Sequence, residues 1–588
     1  MNTTEIYNDI CRFSPTPEQI EVFDALANFD ISKNPLLLRL PCGYGKTESV
    51  IIPFLAQAID NRWSLAPRLI YILPSRALCN QIRNRIHFYS EKVHEKTGKI
   101  IRVGIEHGTS SLDPLFFSDI CITTFDQFLY GYARTKQQIG RHFDLPAGSI
   151  ANSIVVFDEA HLYSPYTHSL MRAMIEILVI SRIPVVIMTA TMPETLQKDL
   201  LNGLKITDNY YHQIINFQGQ WPEHKKRKVT WNLKNWGLLH DGSIHEELDK
   251  ILKGNNDKKI LIVVNRIDTA QKITSLLKQR EEFLTLIHSR FTIKDRKEKE
   301  ESVCKHFGKD ELNQKPGIIV TTQVCEVGLD ISCDILVTEC ASADALVQRA
   351  GRVARWGGSG EIIIVRPMGL ESWINDGQWD EAFPYVDQKR DLASNFDDIK
   401  EGEFAGIAWK YLEQNRDRNI FTDWNETINF CNAMNYHTDD VEARGALGQL
   451  FESTLYADER PSNLSARGEL YCTLAVVSGD ILTVESTAKK AVKSRKKKMQ
   501  DAHVLYRKLT PYFINVPFRY LINKDTKKLR KYNFLEGRVE DELGQNRVKP
   551  FQTYLIDSSG YYDPDIGLTI SLEDKVTETE EAASCLIL

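Results

Sequence analysis

Ten short apolar runs constrain this chain more than any other feature. Five lie in its first third: Leu36–Leu40, Leu69–Leu73, Ile120–Thr123, Ile154–Phe157 and Pro184–Met188. Five more follow: Lys259–Val264, Leu284–Ile287, Gly317–Thr321, Asp334–Thr338 and Glu361–Val365. They are apolar throughout rather than alternating, which is the pattern of parallel strands buried on both faces. Helical stretches between them complete βαβ units. The expected fold is α/β, with two tandem parallel-sheet domains over 1–216 and 217–370. The segment Gln218 to Asp241, aromatic and basic with Lys225-Lys226-Arg227-Lys228, reads as the connection between them.

Beyond Pro367 the grammar changes. Trp373, Trp379, Trp409 and Trp424 punctuate mixed helical sequence, and Lys489 to Lys498 holds seven basic residues in ten. Residues 371–504 are expected to form a linker and helical accessory region. Residues 505–588 read as a smaller β-containing accessory domain, with a turn at Asp557-Ser558-Ser559-Gly560 and an acidic tail from Glu573 to Glu581. A chain of 588 residues is too long for one core.

The net charge of −6 excludes a basic coat, so contact with a polyanion must come from local patches. The eleven cysteines include no CxxC pair, and Cys325, Cys333 and Cys340 are too widely spaced for a zinc knuckle. They are expected as reduced core residues, which fits a cytoplasmic setting. No apolar run approaches the ~20 residues that span a bilayer, and Met1 to Phe13 is polar and mixed rather than signal-like. No membrane partner is expected. Cys585-Leu586-Ile587-Leu588 has the form of a prenylation box, but an acidic stretch precedes it and lipidation is not expected.

Three segments carry chemistry. Leu40-Pro41-Cys42-Gly43-Tyr44-Gly45-Lys46-Thr47 stands between a predicted strand and a predicted helix. Gly43 and Gly45 let backbone amides turn toward phosphates, and the helix N-terminus adds positive potential. Lys46 is expected to reach the β and γ phosphates of ATP, and the Thr47 hydroxyl to bind Mg²⁺. Leu40 takes the place of the usual first glycine. Pro53, inside the following helix, predicts a kink or an early end.

Asp158-Glu159-Ala160-His161 follows the apolar run Ile154-Val155-Val156-Phe157 and falls at the carboxyl end of a strand, where open α/β sheets bind ligands. Asp158 is expected to hold Mg²⁺, and Glu159 to orient and deprotonate the attacking water. His161 is expected to link this site to Thr189-Ala190-Thr191. The third segment is Gln348-Arg349-Ala350-Gly351-Arg352-Val353-Ala354-Arg355. Its arginines, three apart on a predicted helix, lie close to one face. Arg352 and Arg355 are the expected fingers on the transferring phosphate. Gly328, Asp330 and Gln348 are expected to line the nucleotide from the second lobe, and Gln19, after Pro15-Thr16-Pro17, to read the adenine edge.

Weaker segments end predicted strands in both lobes. Ser75 and Arg76, Thr123 and Thr124, Asn265 and Arg266, and Thr321 and Thr322 offer groups that suit backbone phosphates. Each alone also reads as a helix cap or turn. Taken together they suggest a track for a single strand.

These residues resemble the DEAH-type helicases of superfamily 2, over roughly residues 14 to 370. Within that superfamily the wording is similar to the CRISPR-associated helicase of type I systems. The carrying residues are Pro41-Cys42-Gly43-Tyr44-Gly45-Lys46-Thr47-Glu48, Phe157-Asp158-Glu159-Ala160-His161 and Gln348-Arg349-Ala350-Gly351-Arg352-Val353. The carboxyl-terminal Tyr561-Tyr562-Asp563-Pro564-Asp565-Ile566-Gly567-Leu568 is also similar. The resemblance implies two RecA-like lobes, a long linker and a C-terminal lid over single-stranded DNA. It implies ATP-dependent 3′-to-5′ movement in step with a crRNA-guided surveillance complex. Cys42 stands where threonine is usual and Ala354 where asparagine is frequent. Many members open with an HD-type metal nuclease of about two hundred residues, for which the position of Gln19 leaves no room. His240-Asp241 reads as a surface turn. A helicase-only form is therefore expected, with a separate HD-type nuclease subunit.

Two other functions stay open on the residues alone. One is a DEAH helicase of DNA repair or RNA metabolism. The other is an ATP-gated clamp that holds nucleic acid and recruits a nuclease. The run Lys489–Lys498 fits a displaced strand, an acidic partner or a solvated loop.

Overall fold

The structure is a computed structural model. It describes residues 3–41, 43–60, 62, 65–108, 110–136, 142–163, 165–202, 212–219, 226–279, 283–309, 315–326, 328–367, 396–434, 445–448, 450, 471–477, 508–517, 521, 529–533, 538–540, 548, 552–557 and 561–569. Cys42, Lys225, Trp373, Trp379, the basic run 489–498, Ser558 to Gly560, the acidic tail and Cys585 to Leu588 lie outside the described residues.

The first lobe opens with helices α1 (Thr3–Cys11) and α2 (Pro17–Ala27). Its strands are β1 (Leu36–Arg39), β2 (Arg68–Leu73), β3 (Val103–His107), β4 (Ser110–Ser111), β5 (Ile120–Thr124), β6 (Ser153–Phe157), β7 (Val185–Thr189) and β8 (Gln213–Asn216). The intervening helices are α3 (Lys46–Asp60), α4 (Arg76–Thr97), α5 (Phe125–Tyr132), α6 (Asp144–Ala151), α7 (Pro165–Ile180) and α8 (Glu194–Asn202). The sheet runs β4-β3-β5-β2-β6-β7-β1-β8, parallel except for the β3–β4 pair. The central strands feed two cores, which is why they are apolar throughout. On β6, Val155 and Phe157 pack on one face, and Ile154 and Val156 on the other. Each such burial contributes roughly 1.5–3 kcal/mol. The sequence reading did not pick out β3 or β8. Strand β3 is interrupted by Gly104 and ends in Glu106-His107, so its apolar signal is thin.

The second lobe comprises β9 (Arg227–Gly237), β10 (Leu239–His240), β11 (Ser243–Ile244), β12 (Lys259–Val263), β13 (Phe283–Ile287), β14 (Gly317–Thr321), β15 (Ile335–Glu339) and β16 (Gly358–Arg366). Its helices are α9 (Glu246–Gly254), α10 (Ile267–Leu277), α11 (Ile293–Phe307) and α12 (Ala343–Ala350). The main sheet runs β13-β14-β12-β15-β16-β9, all parallel. The expected connection over Gln218 to Asp241 is corrected here. From Arg227 to Gly237 it is β9, the edge strand, parallel to β16. Val229, Trp231 and Leu233 face the core at every second position, the period of a half-buried strand. His240-Asp241 is an exposed hairpin turn with Asp241 at φ 47°.

Helices α13 (Phe396–Gln414) and α14 (Trp424–Asn432) add Trp409, Leu412 and Phe430 to a core of the second lobe, and Phe421 between them joins it. Beyond them lies a sheet ordered β18-β17-β21-β19-β20, from β17 (Tyr471–Val477), β18 (Phe513–Pro517), β19 (Arg530–Asn533), β20 (Arg538–Glu540) and β21 (Thr553–Asp557). Strand β17 lies inside this sheet, so a domain boundary at 504/505 divides it. A hairpin of β22 (Tyr562–Asp563) and β23 (Gly567–Leu568) then docks on the second lobe. There Leu568 N–H donates to Arg290 O at 2.9 Å and Gln271 Nε2 donates to Ile566 O at 2.9 Å. Gly567 has φ +86°, and a Cβ on it would stand 2.6 Å from His288 Cε1, so a side chain is excluded. Among the described residues no helix is long and apolar enough to cross a membrane. Cys325, Cys333 and Cys340 are buried free thiols.

Candidate active site

The turn from β1 into α3 needs left-handed backbone at Gly43 (φ 79°) and Gly45 (φ 98°), which glycine adopts without Cβ strain. Helix α3 begins at Lys46, and its residues from Lys46 to Ala58 are buried. Pro53 lies inside it without ending it, so the expected early stop does not occur. Burial on every side holds the helix where propensity would end it. Leu40, in the usual glycine position, is fully buried against Tyr44 and Phe217 and forms the apolar floor of the loop.

Lys46 Nζ stands 3.3 Å from Glu159 Oε1. The Tyr71 hydroxyl donates to Asp158 Oδ2 at 2.6 Å and lies 3.4 Å from Thr47 Oγ1. Asp158 Oδ1 accepts from the Glu159 amide at 2.8 Å. Burial and the adjacent Glu159 charge push the Asp158 carboxyl up. Burial also acts to raise Glu159, but the Lys46 ammonium, with the Arg352 guanidinium adding to it, outweighs burial and holds Glu159 below the ordinary carboxylate range. Glu159 sits at φ 50°, a conformation a non-glycine residue adopts at a cost.

His161 Nδ1 lies 3.0 Å from Thr189 Oγ1, and its Nε2 meets the Gln348 amide from the second lobe. Burial lowers the His161 pKa, so the ring is neutral, and one proton on Nδ1 satisfies both contacts. The lobes are therefore bonded through these two side chains.

The third motif differs from its expected form. Helix α12 ends at Ala350, so Arg349 is helical while Arg352 and Arg355 lie beyond it, with Ala354 at φ 47°. Gly351 makes the exit. Arg349 is wholly buried and pairs with Glu326 at 2.8 Å. It also donates to Thr338 Oγ1 at 2.9 Å and Asn265 Oδ1 at 3.0 Å. Arg352 donates from Nε to Cys325 O at 2.9 Å and from Nη2 to Glu326 O at 2.6 Å. Arg355 pairs with Asp330 at 2.9 Å.

Several expected contacts are used inside the chain. The Gln19 amide accepts from Thr16 N at 3.0 Å, closing a capping box, and donates to Gly45 O at 3.1 Å. It clamps the phosphate loop. Gly328 (φ +90°) approaches Ala77 of the first lobe, where a Cβ would stand 3.4 Å from the alanine Cβ. Thr123 and Thr321 are fully buried, and their hydroxyls donate to Glu106 O and Ile287 O, each at 2.8 Å. Thr124 and Thr322 are buried too. Asn265 donates to Cys340 O at 2.9 Å, besides accepting from Arg349. Ser75 caps α4 through Leu78 N at 3.3 Å. Strand-end hydroxyls serve the fold because parallel strands leave carbonyls there that need donors. Arg76 is half-buried beside Gly108, and Arg266 is exposed.

The sequence reading missed Tyr71 and the carboxylate of Glu48. Tyr89 donates to Glu48 Oε1 at 2.7 Å and Arg85 stands 3.6 Å away. A tyrosine amid an apolar run was the available signal for Tyr71.

A family model described as DEAD/DEAH box helicase matches residues 16–199. Another, CRISPR-associated nuclease/helicase Cas3, C-terminal, matches residues 256–357. The two matches fall one on each lobe: a DEAD/DEAH box helicase domain on the first and a Cas3-like helicase domain on the second. The chain is similar to CRISPR-associated Cas3 helicases over much of its length. The CRISPR-associated helicase Cas3 of Thermoproteus tenax is 28% identical over 465 residues, covering 76% of this chain and 72% of that protein. A Cas3 nuclease/helicase of Methanocaldococcus jannaschii is 27% identical over 369 residues, covering 59% of this chain and 47% of that protein. The chain thus spans about half the length of several curated relatives that it matches. A solved structure of T. fusca Cas3 with ATP shares the fold, with TM-score 0.65 and 17% identity over 97% of this chain and 72% of that one.

Proposed function

We propose that this chain is an ATP-driven translocase that moves 3′ to 5′ along single-stranded DNA and unwinds target DNA in type I CRISPR interference. The observation that carries the reading is the opposition of two sets of residues. Lys46, Thr47, Asp158 and Glu159 converge in the first lobe, while Gln348 of the second, from the same motif as Arg352, meets His161 beside them.

In this reading Lys46 holds the β and γ phosphates. Glu159, kept ionised by its cationic neighbours, accepts the proton of the attacking water. Arg352 and Arg355 neutralise charge that builds on the transferring phosphoryl group. Thr47 and Asp158 fit Mg²⁺: a hydroxyl and a carboxylate are hard oxygen donors, and the Tyr71 hydroxyl joins them in one buried group. The ion, when bound, neutralises phosphate oxygens. His161 and Gln348 carry the state of the site from one lobe to the other. On the DNA side, Arg76 and Arg266 are the side chains placed for phosphate contact.

The relatives' names support CRISPR service, and in this reading a crRNA-guided surveillance complex and a separate HD-type nuclease are the partners. The test is ATP hydrolysis by the purified chain alone, with single-stranded DNA and with matched RNA. Stimulation by DNA well above RNA is expected. Stimulation by RNA alone would replace this reading with an RNA helicase. ATP-dependent DNA binding with no turnover would replace it with a gated clamp.

A further inference from the structure

Strand β9 carries a side chain that none of the chemistry above uses. Arg227 opens the strand at the sheet edge, in register with Gly358. Its Nη1 donates to Ala350 O at 2.8 Å and to Val353 O at 3.2 Å, and its Nη2 donates to Phe421 O at 2.8 Å. Ala350 is the last residue of α12, so its carbonyl belongs to the negative end of that helix, where a cation is favoured. Ala350 and Val353 bracket Arg352 on both sides. The Arg352 carbonyl itself accepts from Cys333 N at 2.9 Å. Three carbonyls therefore fix this loop, and one guanidinium holds two of them. Its planar fork of donors suits converging acceptors, and hydrogen bonds from a charged donor are the stronger kind.

The third acceptor leads elsewhere. Phe421 lies between α13 and α14, and Trp424 opens α14. Trp424 meets Phe217 edge-on at 5.5 Å between ring centroids, and Phe217 meets Tyr44 of the phosphate loop at 4.9 Å. At the other end of α14, Asn432 Oδ1 accepts from Glu194 N at 2.9 Å. A contiguous path thus joins the arginine loop to the phosphate loop outside both sheets.

We propose that Arg227 is a positioning residue for Arg352, fixing the arginine-bearing loop and fastening it to the helices that reach the phosphate loop. The proposal rests on the reading of Arg352 as a phosphate partner. Trp231 supplies the control. It lies on the same strand and its Nε1 donates to Arg418 O at 2.8 Å, so its hydrogen bond ties β9 to the connection between the same helices and not to a carbonyl of the arginine loop.

The experiment uses the whole chain as wild type, Arg227→Ala, Arg227→Lys and Trp231→Phe. Two quantities are read: steady-state ATP hydrolysis with single-stranded DNA, and amide hydrogen exchange without nucleotide. Arg227→Ala is expected to lower kcat about tenfold, as a small misplacement of a catalytic group does, with KM for ATP nearly unchanged. Arg227→Lys recovers part of the loss, because an ammonium reaches the loop carbonyls but not Phe421 as well. Trp231→Phe stays near wild type. Exchange at residues 351–355 rises in Arg227→Ala while β16 keeps its protection. Wild-type kcat and unchanged loop exchange in Arg227→Ala overturn the proposal. An equal kcat loss in Trp231→Phe also overturns it, since general loosening then explains both. A wild-type chain without turnover rejects the nucleotide reading, and the exchange comparison still decides whether Arg227 fixes the loop.

Discussion

The two lobes are the same scaffold put to different uses. The order β3-β5-β2-β6-β7-β1 of the first matches β13-β14-β12-β15-β16-β9 of the second. Even small fittings repeat: the Thr123 hydroxyl ties β5 to β3 as the Thr321 hydroxyl ties β14 to β13. The strand ends differ. After β6 come Asp158 and Glu159, gathered around Lys46. At the end of β15, Glu339 turns inward and accepts from Asn265 N, and Cys340 and Ala341 follow it in the core. The first lobe gathers its two strand-end acids with a lysine and a tyrosine hydroxyl in one buried group. The second binds Glu326 to Arg349, Asp330 to Arg355 and Glu339 to its own backbone. The buried Arg349–Glu326 pair and the partly exposed Arg355–Asp330 pair hold these arginines at fixed positions.

The largest effect expected from breaking this division lies in the first lobe. Lys46→Ala or Glu159→Gln should lower ATP hydrolysis by about 10³-fold or more while far-UV circular dichroism stays native. Wild-type turnover in either variant refutes the site. In the second lobe, the two buried arginines should part company. Arg349→Met leaves Glu326 buried without its cation and should cost about 3–5 kcal/mol of stability. Arg352→Ala should instead lose most of its turnover, about 10³-fold, with a much smaller change in unfolding midpoint. Equal behaviour of the pair would erase the distinction between holding and presenting.

A pH titration probes both lobes at once. Burial holds His107 at about 4 in the first lobe and His288 at about 4 in the second. In the unfolded chain each titrates near 6.5, so between these values the unfolded state binds protons that the folded state does not. Stability is full above pH 6.5 and is lost as pH falls toward 4, by up to about 2 kcal/mol per histidine at pH 5. Thermal unfolding at pH 7 and pH 5 measures it, and His107→Gln should flatten the profile if burial is the cause. The smallest effect tests the repeated fitting. Thr123→Val and Thr321→Val should each cost about 1 kcal/mol and leave single-strand affinity unchanged. A loss of DNA affinity without loss of stability would return these hydroxyls to the nucleic-acid track.

The sequence by itself determined the two α/β lobes and named the residues that gather around Lys46 in the first, because both patterns are local. An apolar run buried on both faces announces itself, and a phosphate loop needs its glycines, lysine and threonine in sequence. It could not separate the arginines. Arg349, Arg352 and Arg355 share a motif, yet one pairs with Glu326, one bonds to carbonyls and one pairs with Asp330, since α12 ends between them. Nor could it tell that Thr123 and Thr321 face neighbouring strands, or that Gln218 to Asp241 holds an edge strand. Only the tertiary structure decided these, because a hydrogen-bonding side chain takes whichever partner the fold brings within about 3 Å, and partners 17 residues apart, as Thr123 and Glu106, or 126 apart, as Arg227 and Val353, leave no local trace. Arg227 is the plainest case: a charge in a basic run by sequence, and by structure the clamp on a loop at Ala350 and Val353.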